Sequence, residues 1–157
     1  MLFRSNDPTP GDGMSHEMNL QYSVTVDPEA YAREVRLCDT HLVFDGVAGG
    51  MGSYARVDET VWDLDRNQYL GNLSAYYHAG IVDRVRPIDI RDFCEIWGNT
   101  HGWRAFEVNK DMKFFARDAE SFAMAGFVRQ EFSQILAPSP GVAALVGLAG
   151  LLTRRRR

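Results

Sequence analysis

A chain of 157 residues, 45% hydrophobic and 24% charged, has room for one domain with a packed core and is not a disordered polymer. Its formal charge of −4 hides an asymmetry: Arg154, Arg155, Arg156 and Arg157 are four of the 17 basic residues, and the remaining 13 face 21 acids, a net of −8. An acidic body excludes a surface of the nucleic-acid-binding kind, which needs clustered Lys and Arg to neutralise phosphates.

Residues 1–18 are polar, rich in Gly, Pro and Asp, and lack the apolar stretch of a signal peptide; a disordered lead-in is expected. Leu2-Phe3-Arg4-Ser5 also matches what a common sequencing-adapter end encodes, so the lead-in reads as partly artefactual and the natural start is expected upstream. From residue 19, Leu20, Tyr22, Val24 and Val26 alternate with polar neighbours, the period of a half-buried strand. Asp27-Pro28-Glu29 then carries the signals of a helix start, an N-cap acid followed by proline in the first turn. Residues 36–45 read as another strand. Gly46, Gly49, Gly50 and Gly52 form a hairpin loop, since they lack both GxGxxG spacing and the lysine of a phosphate-binding loop.

Between residues 53 and 116 come SYARV, ETVWDL, NLSAYYHAGIVDRV, IDIRDFCEIW, GWRAFEV and MKFFA. All are rich in β-branched and aromatic residues, with turn residues every eight to twelve positions. That rhythm predicts antiparallel strands, with Pro87 on an edge or between strands. In residues 118–136, Met124, Phe127 or Val128, Phe132 and Ile135 recur at three-to-four spacing behind Asp118, which predicts a helix; a strand pair split at Ala125-Gly126 is the competing reading. The expected fold is mainly β, antiparallel and sandwich-like, with one or two short helices and a C-terminal apolar helix; α+β is the alternative. The expected domain limits are 1–18 for the lead-in, 19–136 for the body and 137–157 for the tail.

From Ile135 to Leu152 the chain carries no charge, and eighteen residues span ~27 Å as a helix, near the thickness of a bilayer core. Pro138 and Pro140 delay the helix start, so the apolar helix is short for a permanent span. The four terminal arginines resist crossing and stop the segment on the cytoplasmic side. Pro138-Ser139-Pro140-Gly141, the Ala/Leu/Gly-rich run and the arginine cluster together resemble a PEP-CTERM sorting signal, with Pro-Ser-Pro standing where Pro-Glu-Pro is usual. The resemblance covers residues 137–157. It implies export, transient anchoring in the inner membrane bilayer, and processing by an exosortase-type membrane protease near residues 138–141. The released body is then expected at the cell envelope or in an extracellular matrix, where exopolysaccharide is a candidate partner. Such tails specify an address and leave the activity of the body open.

In the body, Asp63, Asp65 and Asn67 have the alternating oxygen-ligand spacing of half a calcium loop. Gln68 and Ser74 stand where an EF-hand needs Gly and Glu, so a solvated turn is favoured and calcium is the single cofactor candidate. Cys38 and Cys94 pair in an oxidising compartment or remain reduced in the cytosol. Trp97 and Trp103 flank Asn99-Thr100-His101-Gly102 and offer a stacking platform for a sugar, against the alternative that they are core residues. The histidines, His16, His41, His78 and His101, lack zinc-site spacing. Carboxylate pairs such as Asp58/Glu59 and Asp89/Asp92 read as solvated faces. No nucleophile motif points to an enzyme. A structural or binding protein is the leading expectation, with a carbohydrate- or calcium-binding module and a secreted hydrolase as alternatives.

Overall fold

The computed structural model describes residues 3–4, 15–80 and 84–137. The sorting motif Pro138, Ser139, Pro140 and Gly141, the apolar run after it, and Arg154, Arg155, Arg156 and Arg157 lie outside them. Among the described residues no helix is long and apolar enough to cross a membrane.

In chain order the elements are β1 (Phe3–Arg4), β2 (Ser15–Thr25), α1 (Pro28–Ala32), β3 (Val35–Leu37), β4 (Asp39–Gly49), β5 (Tyr54–Asp63), β6 (Gln68–His78), β7 (Arg84–Arg86), β8 (Ile88–Asp92), α2 (Phe93–Trp97), β9 (Ala105–Phe115), β10 (Phe122–Glu131) and β11 (Gln134–Leu136). Among the described residues the architecture is mainly β: antiparallel sheets in the orders β2-β9-β5-β6-β7, β1-β10-β4-β8 and β11-β3, with two helices of five residues each.

Alternation explains the longer strands. On β5 and β9 every second residue is buried: Ala55, Val57 and Val61 on one, Phe106, Val108, Met112 and Phe114 on the other. These meet Leu42, Phe44, Ala123 and Ala125 from the four-stranded sheet in one core, with Phe93 and Trp103 at one end. The α1 start follows its sequence signals, for the Asp27 carboxylate accepts from the Glu29 and Ala30 amides and Pro28 occupies the first turn. Pro87 falls between β7 and β8, where the chain passes from the five-stranded sheet to the four-stranded one. Its carbonyl accepts from the Phe44 amide at 2.8 Å, which extends the β4–β8 ladder by one bond within the four-stranded sheet.

Four expectations are corrected. The lead-in is not unstructured throughout: residues 15–18 extend β2, paired to β9 as far as Phe115, and Phe3 and Arg4 pair with Ala125 and Met124. The glycine loop shrinks to residues 50–53, because β4 runs through Gly46 to Gly49. Residues 88–97 are only half strand; Asp92 accepts from the Glu95 amide at 2.9 Å and caps α2, which ends at Gly98 in the left-handed region.

The helix expected over 118–136 is instead β10 and β11. A β-bulge between Ala125 and Phe127 inserts Gly126 into β10 as an extra residue. Residues of like facing are two apart on either side of such a bulge and three apart across it. Met124 and Phe127 therefore share the outer face, and Ala125 and Val128 the inner one. That three-residue step mimics helical spacing.

One glycine is fixed by its backbone. Gly102 has φ +64°, and a Cβ there would stand 2.6 Å from the Leu37 carbonyl oxygen. That approach lets Trp103 exchange backbone hydrogen bonds with Leu37 in both directions. Gly102→Ala is expected to lower the unfolding free energy by about 1–3 kcal/mol, measured by urea titration; an unchanged midpoint would show that the turn relaxes.

Candidate functional site

The five-stranded sheet is wider than the layer that covers it. Strand β2 is an edge strand, and its inner face carries Met18, Leu20 and Tyr22, in register with Met112, Lys110 and Val108 of β9. These positions point the same way as the buried residues of β9, yet Leu20 is 48% exposed. Strand β10, the nearest long strand of the other sheet, does not hydrogen-bond to β2. Between them opens a groove of about 400 Å³ lined by Met18, Leu20, Tyr22, Met112, Phe127 and Val128, with Lys110 and Gln130 in its floor. That volume lies within the ~300–1,000 Å³ usual for small-molecule sites, which are likewise mostly apolar with a few polar groups.

Beneath the groove lies a polar cluster that bridges the sheets. Glu59 and Lys110 are directly opposed on β5 and β9, both on inward positions and both buried, Glu59 to 1% exposure. The Lys110 ammonium donates to the Glu59 carboxylate and to the Gln130 side-chain oxygen. The Gln130 amide in turn donates to the Thr40 hydroxyl and, at 3.0 Å, to the other Glu59 oxygen; Thr40 donates to that same oxygen at 3.5 Å. Burial raises the Glu59 carboxyl above its ordinary value, against the opposing pull of Lys110, Thr40 and Gln130. Burial also lowers the Lys110 ammonium, against the pull of Glu59. Each group is thus disfavoured as an isolated charge, and the pair persists because its members meet. Burial, with the Glu59 charge second, holds the Tyr22 phenol well above its ordinary range.

Both ends of this cluster escaped the sequence reading, although a signal existed. In the alternation Val57, Glu59, Val61 an acid stands in phase with the core, and in Val108, Lys110, Met112 a base does the same. Glu59 and Asp89 are both buried, so neither belongs to a solvated carboxylate face as expected. Asp89 points inward from β8 and accepts from the Ser74 amide at 2.9 Å and from Arg86.

The other candidates fall elsewhere. Asp63 accepts from the Asp65 and Arg66 amides at 2.9 and 3.3 Å, shaping the turn between β5 and β6 where Asn67 takes φ +51°. The Asp65 carboxylate pairs with Arg104, whose hydrogen bond holds it below its ordinary value. The oxygens of both acids are thereby engaged in the turn and an ion pair. Trp97 and Trp103 do not form an exposed pair. Trp103 is 6% exposed and packs edge-on to Phe93, whereas Trp97 is 46% exposed and donates its indole N–H to the Leu70 carbonyl at 2.8 Å. Burial of Trp103 follows from its position beside Leu37, which directs the ring into the core.

Cys38 and Cys94 form a disulfide with Cα atoms 5.3 Å apart, joining the link between β3 and β4 to α2 across 56 residues of sequence. Together with Asp92 they are the cluster of metal-ligand type among the described residues, but the sulfurs are bonded to each other and offer no thiolate.

No protein-family model matches the chain, and no curated protein or solved structure matches it.

Proposed function

We propose that this chain is an exported bacterial envelope or extracellular-matrix protein whose two-layered, sandwich-like body works by binding and not by catalysis. The observation that carries the reading is the Cys38–Cys94 disulfide. Disulfides persist in oxidising compartments and are rare in the cytosol, which agrees with the address that the tail resembles. In this reading the apolar run after Pro138, Ser139, Pro140 and Gly141 rests transiently in the inner membrane, with Arg154, Arg155, Arg156 and Arg157 inward. An exosortase-type protease then releases the acidic body.

Binding is favoured over hydrolysis by the placement of the perturbed carboxylate. Glu59 sits under the floor of the groove with both oxygens accepting hydrogen bonds from the protein, so a bound molecule meets Lys110 and Gln130 first.

Mass spectrometry of the mature protein from its native host, alkylated before reduction, tests the proposal. The expected result is unalkylated Cys38 and Cys94 and a C-terminus near residues 138–141. Retained arginines would overturn processing, and alkylated cysteines would overturn export to an oxidising compartment.

A further inference from the structure

We propose that the groove between β2 and β10 is a binding site for a neutral amphiphile, an aliphatic chain ending in a hydroxyl or carbonyl oxygen. This goes beyond the export reading and does not depend on it.

Two independent features specify the ligand. The first is the wall. Met18 and Leu20 are exposed side chains on the inner face of β2, and Phe127 of β10, next to the Gly126 bulge, lines the groove with them. Flexible methionine and leucine side chains around the opening suit an aliphatic chain.

The second feature is the floor. An ammonium has three N–H donors, and Lys110 uses two of them on Glu59 and Gln130. The third has no hydrogen-bond acceptor among the described residues; the nitrogen lies 5.9 Å from the Tyr22 ring centroid. The Tyr22 hydroxyl likewise has no hydrogen-bond partner among them. The groove therefore presents unmatched donors at its polar end, and a ligand oxygen completes them.

Charge selects among oxygen-bearing heads. Glu59 and Lys110 cancel, so the floor is polar but neutral. A carboxylate head would sit within reach of the Glu59 charge, and a cationic head would meet Lys110. A neutral oxygen accepts from Lys110 without adding an unpaired charge in a place where burial already opposes charge.

The test follows the methionine methyl signals of the full chain by NMR, with 1-decanol, sodium decanoate and decyltrimethylammonium as probes. Expected are saturable shifts of the Met18 and Met112 methyls with one 1-decanol per chain, and binding of both charged probes weaker by about tenfold or more. Leu20→Lys and Phe127→Glu, both at exposed positions, should abolish the shifts while leaving thermal unfolding unchanged. The double variant Glu59→Met/Lys110→Met, which strands no buried charge, should bind 1-decanol about tenfold more weakly. The proposal is overturned if no probe gives a saturable shift, if decanoate or decyltrimethylammonium binds as well as 1-decanol, or if either surface variant binds like the parent.

Discussion

Lys110→Met is expected to destabilise the fold by about 3–5 kcal/mol, the largest loss available from a single side chain in the polar cluster. The substitution keeps an unbranched chain of similar length, so packing changes little. What it removes is the counter-charge of a carboxylate that is 1% exposed. Gln130 and Thr40 still donate to Glu59, but two neutral donors do not offset the burial of an anion. Glu59 must then take up a proton to remain inside, and its carboxyl, already raised by burial, rises further. The sign of the pH dependence follows. A carboxyl whose folded value lies above its unfolded one contributes stability that is full below the ordinary value of 4.5 and is lost as the pH rises through the raised one. The deficit of Lys110→Met should therefore be small in acid and grow toward neutrality. In the double variant Glu59→Met/Lys110→Met, with both charges gone, stability should return to the parent value or exceed it. Urea titrations of the three proteins across pH decide the matter. A double variant as unstable as the single one would show that the cluster, not the stranded charge, holds the sheets.

Replacing Cys38 and Cys94 together with serine is expected to cost about 4 kcal/mol, the chain-entropy value for a loop of this length. The loop that the bond closes contains β4 to β8, so the unlinked unfolded chain gains freedom over the middle of the protein. The local loss is smaller, because the Phe93 and Cys94 amides still donate to the Cys38 carbonyl at 3.1 and 3.3 Å. Equilibrium unfolding with and without reductant measures the difference in the parent, and the serine variant should match the reduced parent. A reduced parent as stable as the oxidised one would place the stabilisation elsewhere.

The sequence disclosed the parts of the fold whose pattern stays in phase. Leu20, Tyr22, Val24 and Val26 alternate without interruption, and the cap at Asp27-Pro28 is local chemistry that needs no tertiary partner. Reading failed where one residue shifts the phase or where a neighbour in space decides. Gly126 gave β10 a false helical spacing. Asp92 turned a β-rich run into α2 by capping it, and Trp103 was drawn inside by its bridge to Leu37. The groove was invisible because an alternating strand reads alike whether or not a second layer covers it. Glu59 and Lys110 were legible one at a time as charges in phase with the core. Their pairing depends on the register of β5 against β9, which no local pattern states.

At Pro87 the chain itself passes from the five-stranded sheet to the four-stranded one, and among the described residues the two larger sheets share no strand pairing; the hydrogen bonds of Lys110, Glu59, Gln130 and Thr40 that run between them are made by side chains. A change of charge at this bridge therefore acts on the link between the layers, whereas the strand ladders within each sheet are held by backbone hydrogen bonds that carry no titratable group.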